Sequence, residues 1–427
     1  MRRRAVLCFL SVAGSIGFMV LFRLSWPGGL ILCLVSIGLL PLFERNRKCA
    51  QKESVEYGEL TLYMEQVLCS YRRWKKLGSA WEDCLLLYEK DSRMRKAIAN
   101  ALHCLKTGGD VDNLWHACRC IHKEYKSERL VLLHEFLCRA EKMGGDTGEA
   151  LNILLEDLQL WKRRKSLFRA RKKIMKAESV LAVFFGCCMC GFSILIMPVD
   201  LERQLIASTW YQISSIAVIC FLLLTLLKIS NKFDRTWPDT ARTERGRTRG
   251  QKKQYAILKS GSHGLKWHIA RKYCRQEVER VFSYWMLSVT LFMQQENVYQ
   301  ALMDSLGQLH GMFREEVSLL IRNIYESPSS FHPYLDFFKE LQMEEIQTGM
   351  KLLYAAGNNE YEDVSREIHV LVEQNNLVMD KFEQNRQDIQ TAGFGLWKQI
   401  PLILASLKVL GDMAVLLVMT MEEYSFW

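Results

Sequence analysis

Between Arg45 and Ala177 the chain contains no proline. It also lacks any run there of alternating apolar and polar residues. The first absence removes the strongest helix breaker, and the second removes the signature of a half-buried strand. The region therefore reads as helical throughout. Catalytic signatures are missing from the whole chain. There is no G-x-x-x-x-G-K-[ST] phosphate loop, so the protein does not read as its own ATPase. H-E-x-x-H and G-x-S-x-G are absent too, which leaves no motif for an enzyme or a cofactor. Zinc-finger spacings and other recognition modules do not accompany the basic residues, so nucleic acid ranks low as a partner. The fourteen cysteines form no regular framework, and several lie within apolar runs. That usage suits a reducing compartment better than a disulfide scaffold. Cys187-Cys188-Met189-Cys190 includes a C-x-x-C, but redox chemistry needs an accessible thiolate. Inside an apolar run, packing is the better reading.

What is present is segregated. Mean hydropathy is −0.05, yet apolar residues gather in a few blocks separated by charge. Five blocks read as membrane spans: Ala5–Phe22, Gly29–Phe43, Ser179–Met197, Ile213–Ile229 and Ile400–Met421. The residues after the first block are bulky, so a membrane hairpin turning at Trp26-Pro27-Gly28-Gly29 fits better than a cleaved signal peptide. One set of span ends carries Arg2, Arg3, Arg4, Arg45, Arg47, Lys48, Arg171, Lys172, Lys173, Lys176, Lys228, Lys232 and Lys398. The other carries only Arg23 and Arg203. Positive-inside logic then places the N-terminus and both long polar regions in the cytoplasm and the C-terminus outside. The net charge of +10 fits such loops and contact with anionic lipid. The last span holds two central charges, Lys408 and Asp412, one helical turn apart. Each alone costs roughly 2.5–3.5 kcal/mol to insert, so the pair is expected either to face other spans or to contact a partner helix.

The stretch from Lys142 to Pro198 joins the polar and apolar parts. Gly144, Gly145, Asp146, Thr147, Gly148 and Glu149 form a Gly-rich turn, with Asp146 suited to the N-cap and Glu149 three residues on. Leu151, Leu154, Leu155 and Leu158 follow on one helical face. The helix then turns basic, with Arg163, Arg164, Arg171, Lys172 and Lys173 as candidates for facing lipid or an acidic protein surface. It continues into an apolar run long enough to span a bilayer. Lys106-Thr107-Gly108-Gly109-Asp110 resembles the start of this turn and marks an earlier helix boundary.

This turn, basic helix and span resemble the type II secretion system F domain. That domain occurs in inner-membrane platform proteins of type II secretion, type IV pilus and Tad pilus machines. The acid and glycines stand in an altered order, and the first hairpin resembles the Tad branch. The resemblance implies an all-α, polytopic membrane protein with two cytoplasmic F-type helical bundles and about five transmembrane helices. Its parts would be an N-terminal hairpin at 1–44, a first bundle at 45–177, spans at 178–230, a basic linker at 231–264, a second diverged bundle at 265–399 and a last span with a short tail at 400–427. It implies a non-enzymatic platform coupling a hexameric secretion ATPase to pilin or pseudopilin subunits, as a homo-oligomer or with a second platform protein. A polytopic transporter or signalling protein is the alternative.

Two stretches carry further expectations. Thr236–Gly264 holds Pro238, several glycines and the run Arg242, Arg245, Arg247, Arg249, Lys252, Lys253. Composition favours a solvated, lipid-facing leash over a docking strand for an acidic partner. In the first bundle, His116 and Cys120 are i, i+4, and so are His134 and Cys138. If their helices are neighbours, four zinc-type ligands could converge, with Cys118 and His122 facing away. Packing is the commoner use of such residues, since this spacing matches no known zinc signature.

Overall fold

The computed structural model describes residues 2–107, 113–144, 147–234, 244–260, 264–358 and 364–425. Their helices, in order, are α1 (Arg2–Leu21), α2 (Trp26–Trp74), α3 (Leu77–Leu85), α4 (Arg93–Thr107), α5 (Asn113–Glu124), α6 (Glu128–Met143), α7 (Gly148–Leu195) and α8 (Val199–Ala207). There follow α9 (Thr209–Asp234), α10 (Glu244–Lys259), α11 (Leu265–Phe292), α12 (Val298–Ser305), α13 (Gly311–Glu326), α14 (His332–Asp336), α15 (Glu344–Asn358) and α16 (Val364–Ser425). No strand occurs among the described residues. The chain divides into two compact units, one of 1–55, 165–237 and 387–427, the other of 56–164 and 238–386.

The first unit is the apolar one. Among the described residues, four helices are long and apolar enough to cross a membrane, namely α2, α7, the Thr209–Asn231 part of α9 and the Gln399–Met421 part of α16. These give the protein the character of an all-α membrane protein. The expected first span falls in α1, whose apolar segment among the described residues is the shorter Ser11–Leu21. Leu181, Phe184, Phe185, Phe192, Leu407 and Leu410 are each more than half exposed. Such side chains in long apolar helices suit hydrocarbon rather than water. Inward, Phe22, Leu32, Cys190, Ile219 and Ala405 form one core. Val183, Cys187 and Leu222 form another, so the C-x-x-C sulfurs at 187 and 190 are packed. Gly186 brings α7 against α16. A Cβ there would lie 3.1 Å from the Pro401 carbonyl oxygen and 3.4 Å from the Ala405 Cβ.

The second unit is a helical bundle. On α2, Leu60, Tyr63, Met64, Val67, Leu68 and Tyr71 are buried at helical spacing. On α7, Leu151, Leu154, Leu158 and Trp161 are buried likewise, whereas Leu155 of the predicted face is half-buried. A buried Arg129 pairs with Asp157 and lies 4.9 Å from the Tyr284 ring and 5.3 Å from the Trp161 ring. The expected linker at 231–264 requires a correction. Its residues 244–259 are α10, which packs on α11 and α13. Gln251, Tyr255 and Leu258 bury one face of it. Charge dominates the composition of this stretch, but three residues at i, i+4, i+7 are enough to dock a short helix. Glu316, buried on α13, fixes it by accepting hydrogen bonds from the Tyr255 hydroxyl and, at 3.1 Å, from Lys259 Nζ.

Candidate functional site

Of the Gly-rich turn, Gly145 and Asp146 lie outside the described residues. Gly144 ends α6 with φ of 73°, a left-handed conformation that glycine adopts without steric cost. Gly148 and Glu149 open α7, and Glu149 comes within 3.6 Å of His369. Gly108, Gly109 and Asp110 of the earlier copy also lie outside the described residues.

The basic residues of α7 separate into two kinds. Arg163, Arg171 and Lys173 are exposed. Arg171 pairs with Asp388 at 3.0 Å. Arg164 and Lys172 do not face outward, which corrects the expectation for them. Arg164 is 11% exposed and pairs with Asp380. Lys172 is buried, with its ammonium 4.7 Å from the Phe168 ring. Burial pushes the Lys172 ammonium down to about 8; Lys165 acts in the same sense and Glu53 against it. Both residues lie on the inner side of their helix, a phase that a string of charges does not reveal.

In the apolar unit, Lys408 and Asp412 form an ion pair and are 2% and 6% exposed. The Lys408 ammonium lies 4.1 Å from the Tyr211 ring centroid, an added cation–π contact. The Tyr211 hydroxyl donates to the Phe22 carbonyl at 2.8 Å. The pair therefore faces helices of its own chain, one of the two arrangements its spacing allows.

His116, Cys120, His134 and Cys138 do not converge. Cys118, not Cys120, meets Cys138, with sulfurs 3.6 Å apart. His122, not His116, meets His134. The i, i+4 spacing holds on both helices, but α5 turns its Cys118–His122 face, not its His116–Cys120 face, toward α6. No group of three or more metal-ligating side chains occurs among the described residues. What forms instead is a buried polar chain. Trp81 Nε1–H donates to the Tyr63 hydroxyl at 2.7 Å, and that hydroxyl lies 2.6 Å from His134 Nε2. His134 Nδ1 lies 2.7 Å from His122 Nε2. Burial lowers both imidazoles below the usual range, His122 to about 4 with Arg119 contributing, so both are neutral at pH 7. Neutral rings satisfy each contact if Tyr63 donates to His134 and His134 donates onward to His122.

His122 also lines a cavity of about 650 Å³ between α5, α6, α10, α11 and α13. Its walls include Trp115, Tyr284, Trp285 and Phe313, with Glu277 and Arg280 among the charged groups. Gln251 donates to Glu277 at 2.8 Å, and Arg280 lies 3.7 Å from Glu277 and 3.5 Å from Glu128. This size suits a small ligand or an inserted side chain. Its lining comes from segments far apart in the chain, so no local pattern marks it.

No protein-family model, no curated protein and no solved structure matches this chain.

Proposed function

We propose that the protein is a membrane-embedded assembly platform. In this reading it sits in the cytoplasmic membrane with its N-terminus and helical bundle inside and its C-terminus outside. It couples a hexameric secretion ATPase to pilin or pseudopilin subunits and helps extract them into a filament. One observation carries the reading. α7 runs without a break from a buried, leucine-faced segment through a basic stretch into a membrane-length apolar segment. A helix with continuous hydrogen bonds passes displacement along its axis better than a loop does. The bundle supplies surfaces for the ATPase, and Arg163, Arg171 and Lys173 supply exposed positive charge for it or for anionic lipid. Assembly with further copies, or with a second platform protein, belongs to the same reading.

The test is genetic and biochemical. Photocrosslinkers at Arg163 and Lys173 should capture a hexameric ATPase in cells, and deletion of the chain should abolish filament assembly. Filaments that form normally in the deletion strain would overturn the reading. A cysteine introduced at Thr248 should resist membrane-impermeant labelling in intact cells; labelling from outside would overturn the orientation. The transporter alternative draws on the buried Lys408–Asp412 pair. Substrate flux through reconstituted protein, lost in the charge variants, would favour it instead.

A further inference from the structure

Helix α5 carries two cysteines, and each faces a cysteine of a neighbouring helix. The Sγ atoms of Cys104 on α4 and Cys120 on α5 are 3.5 Å apart. Those of Cys118 on α5 and Cys138 on α6 are 3.6 Å apart. The pairs differ in access. Cys104 and Cys120 are both partly exposed, whereas Cys118 is fully buried. A disulfide bond is about 2.05 Å long, so either pair needs its sulfurs to close by about 1.5 Å. Side-chain rotation on helices already in contact can supply that distance. Cys120 Sγ also lies 3.8 Å from the His116 carbonyl oxygen, a contact too long to hold it firmly.

We propose that Cys104 and Cys120 are a redox-responsive dithiol, which a low-molecular-weight disulfide such as oxidised glutathione converts to a disulfide stapling α4 to α5. The Cys120 thiolate attacks one glutathione sulfur, forms a mixed disulfide and releases one glutathione thiolate. The Cys104 thiolate then attacks the Cys120 sulfur and releases the second. Two protein thiols and one oxidised glutathione become one protein disulfide and two glutathione thiols; the two electrons reduce glutathione, and the two protons end on its thiols. Burial and Cys104 itself raise the Cys120 thiol, and Lys123, three residues on, acts against them, so the exchange is slow. Cys118 stays reduced because the oxidant cannot reach it, and its burial also disfavours the thiolate strongly. In a reducing compartment a disulfide of this kind is a sensor rather than a scaffold.

The full-length protein in lipid nanodiscs would be equilibrated with glutathione buffers of rising oxidised fraction, then mapped by differential alkylation and mass spectrometry. The expected product is a Cys104–Cys120 crosslink, with Cys118 and Cys138 remaining alkylatable once the protein is denatured. Initial oxidation of the outer pair should be at least about tenfold faster than that of the inner pair. The oxidised protein should melt at a higher temperature, and reduction should reverse the shift. Cys104→Ser and Cys120→Ser should each abolish both crosslink and shift, with each variant's melting in reducing buffer reporting that it has folded. The proposal is overturned if both outer thiols survive in wild-type protein, if Cys118–Cys138 forms first, or if Cys120 stops at the glutathione adduct.

Discussion

The Lys408 ammonium pairs with Asp412 one turn along α16 while resting 4.1 Å from the Tyr211 ring centroid. A charge pair in an apolar unit thus rests against an aromatic ring of its own chain. Lys408→Met or Asp412→Leu leaves one buried charge without its partner. Each single change should destabilise the protein by about 3–5 kcal/mol, read as a lower melting temperature in detergent. The double variant should recover most of that loss. If it recovers insertion but not filament assembly, the pair also serves a partner helix.

Tyr63 links two fully buried groups. Replacing it with phenylalanine strips the hydroxyl from between Trp81 Nε1–H and His134 Nε2. Each orphaned buried group costs about 1–3 kcal/mol. Chemical denaturation should register the sum, with an unchanged denaturant slope if the native packing is kept.

The histidine pair also makes acid sensitivity predictable. Both folded-state values are depressed, His122 to about 4 and His134 well below its usual range. The unfolded chain therefore binds protons that the folded chain does not. The stability from the neutral pair is complete above about pH 6.5 and is lost as the pH falls from there toward 4, by up to about 1.4 kcal/mol per pH unit for each ring. His134→Gln should flatten the melting profile over this window. An equally steep profile in the variant would assign the acid sensitivity to other groups.

α10 offers a direct contrast between a docked helix and a leash. Tyr255 is 4% exposed and donates to the buried Glu316. Tyr255→Ala should cost about 3–5 kcal/mol, as for other large buried aromatic residues. A change within about 0.5 kcal/mol, the usual effect of a surface substitution, would mean that α10 is solvated after all.

The apolar helices were legible because length and composition alone mark them, and Ser179–Met197, Ile213–Ile229 and Ile400–Met421 all fall on membrane-length helices apart from the last two residues of the first, Ile196 and Met197. Helical phase was less legible. The i, i+4 spacing brings His116 and Cys120 to one face of α5 and Cys118 and His122 to another, but it does not say which face turns inward. That choice follows from Trp81, Tyr63 and the rest of α2 and α3, which present a polar partner to His134. Lys172 and Arg164 illustrate the same gap: their charge is plain in the sequence and their burial is not. The cavity depends on contacts between distant helices, for which a single sequence holds no signal.

Gly186 has a bearing on water. Helices in hydrocarbon gain little from the hydrophobic effect when they meet, so close backbone approach has to hold them together. The contact of Gly186 with Pro401 and Ala405 draws α7 onto the helix that carries Lys408 and Asp412. A larger side chain at 186 would wedge that seam open a short distance from two charges that hydrate readily. The dryness of the ion pair therefore rests on a residue that has no side chain and never touches it.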